Sequence, residues 1–213
     1  MLTEHRTATS DRYIVVVLPG PPAPFRENFA HEGWLVETFV HTRASLDVWW
    51  DKDLDRRSCA LLRMCCESEI VADAAGVAAE IRAEARRRLA VGPGRLSEDE
   101  LAQRRYGLSD LLEDLEGCER PDELAYIAAM LLQGVAELAL VAAGRWSGNG
   151  KALGRALNEA EPGLAGRLFA AHRAAVAEGD ISLLRDVTLD VLGRVGGPLL
   201  VGFRATEGEV GGA

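Results

Sequence analysis

Asp11, Tyr13 and Glu37 are the residues whose types and spacing point first to chemistry in this 213-residue chain. In TSDRYIVVVLPG (residues 9–20) a Ser-Asp pair runs straight into a solid apolar run. Residues two apart on a strand share a face, so Asp11 and Tyr13 stand together at the mouth of that strand. In WLVETFVH (34–41), Leu35, Glu37, Phe39 and His41 face one way, and the Glu37 carboxylate projects among apolar neighbours. Such an acid is costly unless it is paired, protonated or bound to a metal ion, or unless the strand lies at a sheet edge and Glu37 reaches water.

A second group of candidates lies in the other half of the chain. Lys52 and Lys151 are the only lysines. Lys151 follows the loop RWSGNG at a helix start, where a phosphate would be welcome. RWSGNGKA is not a Walker loop: Arg145 fills the first Gly position, Ala152 follows the Lys, and a helix precedes it. Trp146 can stack on a base or a sugar, or pack at the end of a bundle. Asp110 and Asp114 share a helical face, a solvated face or a binding one. Arg104, Arg105 and Tyr106 either reach a cleft or pair with those acids along the helix. The four histidines are dispersed, with no catalytic arrangement among them.

The elements that must position these residues change character near residue 74. Before it the sequence predicts strands over Tyr13–Leu18, Trp34–His41 and Glu69–Ala72, with short helices at SLDVWWDKD and DRRSCALLRMCCE. Pro19-Gly20-Pro21-Pro22 stops the first strand. After residue 74 the pattern is helical: GVAAEIRAEARRRLAV, then a helix opened by the Ser97–Glu100 capping box and running to about Gly117. Pro121 with Asp122 and Glu123 opens a long apolar helix ending at Gly144. Further helices start at Lys151, at Pro162-Gly163 and at Gly179-Asp180. The expected organisation is α+β: a small mixed-sheet unit over 1–74, an all-α bundle of five or six helices over 75–204 with any cleft between the two, and a flexible Gly-rich tail over 205–213.

Composition limits the rest. A net charge of -9 argues against a nonspecific nucleic-acid binder. Cys59, Cys65, Cys66 and Cys118 form no C-x-x-C pair, which suits reduced thiols in the cytoplasm. The first residues lack the apolar core of a signal peptide. LAYIAAMLLQGVAELALVAA (124–143) has the length of a bilayer span, but Gln133 and Glu137 interrupt it, and a buried bundle helix is the expectation rather than a membrane.

SDRYIVVVLPGPPAPFRENFAHEGWLVETFVHT resembles the polymerase-β-type nucleotidyltransferases, in particular the bacterial branch that includes the aminoglycoside nucleotidyltransferases. That family's motif is Gly-Ser, a spacer, then Ser-Asp-x-Asp or Glu entering an apolar strand, with a third carboxylate on a later strand. Ser10-Asp11-Arg12-Tyr13 matches the second element, and Glu37 matches the third carboxylate. RRYGLSDLLEDL and GRWSGNGKAL resemble the helical domain of the same branch, so the likeness spans most of residues 9–204. It implies a truncated nucleotidyltransferase α/β domain followed by a helical bundle. It also implies transfer of a nucleoside monophosphate from a nucleoside triphosphate such as ATP to the hydroxyl of a small acceptor, with Mg²⁺. Asp11 and Glu37 would be metal ligands, Glu37 alternatively the base that takes the acceptor proton. Ser10 and Lys151 would contact the nucleotide, and Tyr106, Asp110, Asp114 and Trp146 the acceptor.

The sequence departs from this pattern at two points. Tyr13 replaces the second acid, and a phenol with a pKa near 10 is neutral and a poor bridging ligand. The residues before Thr9 contain no Gly-Ser turn. Three functions are therefore open: a Mg²⁺-dependent nucleotidyltransferase, a relative that no longer catalyses and serves as a binding or regulatory module, and a structural helical interaction protein. The expected open sheet edge also allows a homodimer.

Overall fold

The computed structural model describes residues 10–73 and 75–205. The architecture is α+β, and the chain divides into two compact units, Met1–Pro93 and Gly94–Ala213. The expected Gly-rich tail from residue 206 onward lies outside the described residues.

The first unit contains β1 (Arg12–Val17), β2 (Phe25–His31), β3 (Trp34–His41), α1 (Arg43–Asp55), α2 (Ala60–Glu67) and α3 (Val77–Val91). The sheet order is β1-β3-β2. β3 is central, parallel to β1 and antiparallel to β2. The β-branched run of β1 and the apolar positions of β3 suit extended backbone.

β2 is absent from the sequence expectation. Its residues, FRENFAH, are exposed along their whole length and show no apolar run. What makes it a strand is the turn. Glu32 and Gly33 both hold positive φ, 47° and 79°. This is the geometry of a tight two-residue hairpin whose twist matches that of the strands, and it sets His31 opposite Trp34. The expected strand over Glu69–Ala72 does not form; the segment is irregular and links α2 to α3.

The first compact unit runs on to Pro93 and includes α3. α3 packs on α2, and its Arg88 reaches Asp47 and Asp51 of α1 at 3.2 and 2.9 Å. Trp50 is fully buried, with the guanidiniums of Arg43 and Arg88 about its ring at 5.1 and 5.2 Å. Leu46, Leu62 and Ala85 of the same unit are likewise fully buried. Thr42 caps α1 through a reciprocal pair with Ser45, which fixes where β3 gives way to helix.

The second unit contains α4 (Glu98–Gly117), α5 (Pro121–Ala142), α6 (Lys151–Ala160), α7 (Pro162–Glu178) and α8 (Ser182–Gly193). The capping box at Ser97 and Glu100 is present, as is Pro at the start of α5. α5 is long and apolar enough to cross a membrane by length and composition. Here it is the central helix of the bundle, in contact with α4, α6, α7 and α8. Leu131, Val135 and Leu138 are fully buried in that core. Gln133 is exposed and Glu137 half-buried, and these two residues hydrogen-bond to each other. Together with Arg104 on Glu137, they mark the polar margin of the helix.

Candidate functional site

The site that the sequence singles out forms on one face of the sheet. The strand register sets Tyr13 directly beside Glu37, and Val15 beside Phe39. From the other side, Asn28 pairs with Glu37 and Arg26 with Phe39. Side chains paired in register point to the same face, so Tyr13, Glu37, Phe39 and Arg26 converge. Tyr13 is 53% exposed, and its ring lies 6.0 Å from that of Phe39. Ser10 and Asp11 lie just before β1, both half-buried.

Glu37 is not on an edge strand, and its carboxylate is not in water. Its side chain is only 12% exposed, and Arg26 Nη2 donates to Glu37 Oε2 at 2.5 Å. The Arg26 guanidinium also lies over the Phe39 ring, 4.8 Å from its centroid. Of the outcomes open to an acid among apolar neighbours, the fold realises pairing. The Tyr13 hydroxyl is pushed above its usual pKa, first by partial burial and then by the negative charges of Glu37 and Asp11, with Arg26 acting the other way. It is therefore a neutral phenol at ordinary pH, able to donate and accept a hydrogen bond but not to act as an anionic ligand.

At the far end of the same face, His41 is buried and its Nδ1 lies 3.2 Å from Ser45 Oγ. The Ser45 hydroxyl also lies 3.1 Å from the Thr42 carbonyl, and the imidazole tautomer sets which partner donates in the His41–Ser45 pair. Burial holds the His41 pKa below its usual value.

Of the predicted residues, Ser10, Asp11 and Glu37 belong to the first unit. Lys151, Trp146, Tyr106, Asp110 and Asp114 belong to the second. Lys151 is exposed at the first position of α6, and Trp146 is half-buried in the loop before it. Tyr106 does not present an open ring: Phe203 stacks on it at 4.2 Å with the planes 10° apart.

The neighbouring residues on α4 also serve the chain itself. Arg105 donates to the carbonyls of Gly196 and Gly197, both at 2.8 Å, and Ser109 Oγ accepts from the Leu199 N–H at 2.9 Å. Arg104 turns to Glu137 at 3.5 Å. Neither arginine takes up the expected pairing along the helix with Asp110 or Asp114. Both acids are exposed. Asp114 lines an open groove of about 580 Å³ with Glu113, Cys118, Glu123 and Tyr126, between the end of α4 and the start of α5.

Arg26 is the site residue that sequence reasoning missed. The Glu-Gly spacer between FRENFAH and WLVETFVH was the available signal. A two-residue hairpin there sets Arg26 opposite Phe39, within reach of Glu37.

No family model matches the chain. No curated protein sequence matches it either. Among solved structures, the crystal structure of a nucleotidyltransferase-like protein from Exiguobacterium sibiricum 255-15 superimposes with a TM-score of 0.41 and 11% identity, over 86% of this chain and 60% of that one. This chain thus corresponds to less than two thirds of that protein's length. So loose a superposition carries no argument about activity, and the α+β class rests on the elements themselves.

Proposed function

We propose that this chain is a catalytically silent relative of the polymerase-β-type nucleotidyltransferases and works as a binding module. The observation that carries this reading is Tyr13, a neutral phenol set in register beside Glu37 at the position where the motif needs a second carboxylate. Nucleotidyl transfer in that family depends on two Mg²⁺ ions about 4 Å apart, bridged by hard carboxylate oxygens. Asp11 and Glu37 offer two carboxylates, and Glu37 is already paired with Arg26. Among the described residues no group of three His, Cys, Asp or Glu could hold a metal ion. The residues present do not fit a Mg²⁺ pair. A cytoplasmic setting is part of this proposal and rests on the cysteine spacing of the sequence.

The reading is tested by calorimetric titration of ATP into the full chain with Mg²⁺ and again with EDTA, alongside a pyrophosphate-release assay. The expected outcome is no Mg²⁺-dependent increment in binding and no pyrophosphate release. Pyrophosphate release by the wild type that Glu37→Gln abolishes would overturn the reading. It would restore the Mg²⁺-dependent transferase, with Asp11 and Glu37 as its acids and a hydroxylated small molecule as its acceptor.

A further inference from the structure

The hairpin turn at Glu32-Gly33 does more than add a strand. It delivers Arg26 to the one carboxylate of the sheet that has little access to water. Arg26 is 56% exposed and Glu37 12%, so the guanidinium approaches from the solvent side and closes over the acid. The Phe39 ring beneath it, 4.8 Å away, holds the guanidinium plane in place. A carboxylate this buried needs a positive partner or a proton. Its Oε2 already receives Arg26 Nη2. A divalent ion on that oxygen would stand within a few ångströms of a fixed positive charge and would have to displace it.

We infer that Arg26 is a resident cation at Glu37, standing where a metal ion would otherwise sit, and that it excludes divalent metal from the Asp11–Tyr13–Glu37 corner. This rests on the reading of Asp11 and Glu37 as the remnant of a metal-binding pair. It goes beyond that reading by naming the residue that fills the place and by making the exclusion independent of nucleotide. The role of Arg26 is positional: it neutralises Glu37 and fixes β2 to β3 without metal.

The test is thermal unfolding of the full chain in EDTA and in millimolar Mn²⁺. The variants are wild type, Arg26→Gln and Arg26→Gln/Glu37→Gln. The wild-type midpoint is expected to be the same in both solutions. Arg26→Gln should fall by roughly 5 °C in EDTA and recover part of that fall in Mn²⁺. The double variant should lose the recovery, because the acid that recruits the metal is gone. A merely structural Arg26 would lower the midpoint without any response to Mn²⁺, and that result overturns the inference. So does a wild type that Mn²⁺ stabilises as much as it stabilises Arg26→Gln.

Should Arg26→Gln fail to fold, Tyr13→Asp provides a second route, since Tyr13 is half-exposed. With Arg26 in place, Tyr13→Asp is expected to take up no Mn²⁺ by electron paramagnetic resonance titration. Binding that Glu37→Gln removes would overturn the inference. Mn²⁺ binding by the wild type without pyrophosphate release would sink this inference alone, whereas pyrophosphate release would sink the functional reading itself.

Discussion

The two units solve the same problem of burial by different means. In the second unit, α5 is surrounded, and Leu131, Val135, Leu138, Leu157, Leu168 and Leu184 are fully enclosed. In the first unit, the sheet leaves large apolar side chains partly open: Ile14, Phe25 and Phe29 from one face, Tyr13 and Leu35 from the other. Its enclosed core lies with the helices, at Leu46, Trp50, Leu62 and Ala85. The bundle is held by hydrophobic burial spread over many residues. The sheet is held by its ladders, its hairpin turn and a few specific contacts such as Arg26 with Glu37 and Phe39. A residue of the bundle core therefore reports on stability, and a residue of the sheet reports on chemistry.

The largest expected effect that sharpens this contrast is Leu131→Ala. Truncating a fully buried Leu should cost about 2–5 kcal/mol of the bundle's stability. Chemical denaturation followed by hydrogen exchange at the amides of α5 reads this unit separately from the first. The matched change on the sheet, Phe29→Lys, should cost about 1 kcal/mol or less, since that ring is already 42% exposed. Equal losses would break the comparison.

A smaller effect belongs to the strap formed by the segment that follows α8. Gly196 holds φ 105°, and an added Cβ would meet the Arg105 guanidinium at 3.3 Å. Gly196→Ala should cost about 1–2 kcal/mol. It should also speed amide hydrogen exchange at Leu199, whose N–H depends on Ser109. An unchanged Leu199 exchange rate would show that the anchor does not hold the strap.

The least effect is one of pH. Burial lowers the folded-state pKa of His41 below its ordinary 6.5. The unfolded chain then binds the proton first, so the contribution of neutral, buried His41 is present above about pH 6.5 and is lost as pH falls toward the folded value. His41→Gln should flatten the acid side of the first unit's stability profile, read by the fluorescence of Trp34, Trp49 and Trp50 in a Trp146→Phe background. A slope that survives the substitution would assign it to other groups.

Much of this organisation was legible in the residues. The Ser97–Glu100 capping box, Pro121 at a helix start and the apolar run over 124–143 are local signals, and local hydrogen bonding decides helix ends. β2 escaped because its side chains stay in solvent, and no hydrophobic pattern is written where nothing is buried. The strand expected over Glu69–Ala72 failed for the complementary reason. A short apolar run becomes a strand only where a neighbour pairs with it, and pairing is not local.

By itself, the sequence determined that Asp11 would stand at the mouth of a strand, that Tyr13 and Glu37 would stand on strands, and that Tyr13 breaks the set of acids, because strand period and side-chain identity are properties of the chain. Only the tertiary structure decided what Glu37 does. A central strand, a parallel neighbour carrying Tyr13 and a hairpin carrying Arg26 meet at one carboxylate. The choice among metal, proton and guanidinium depends on which charge arrives within a few ångströms, and residues distant in sequence supply that charge only once the strands are paired.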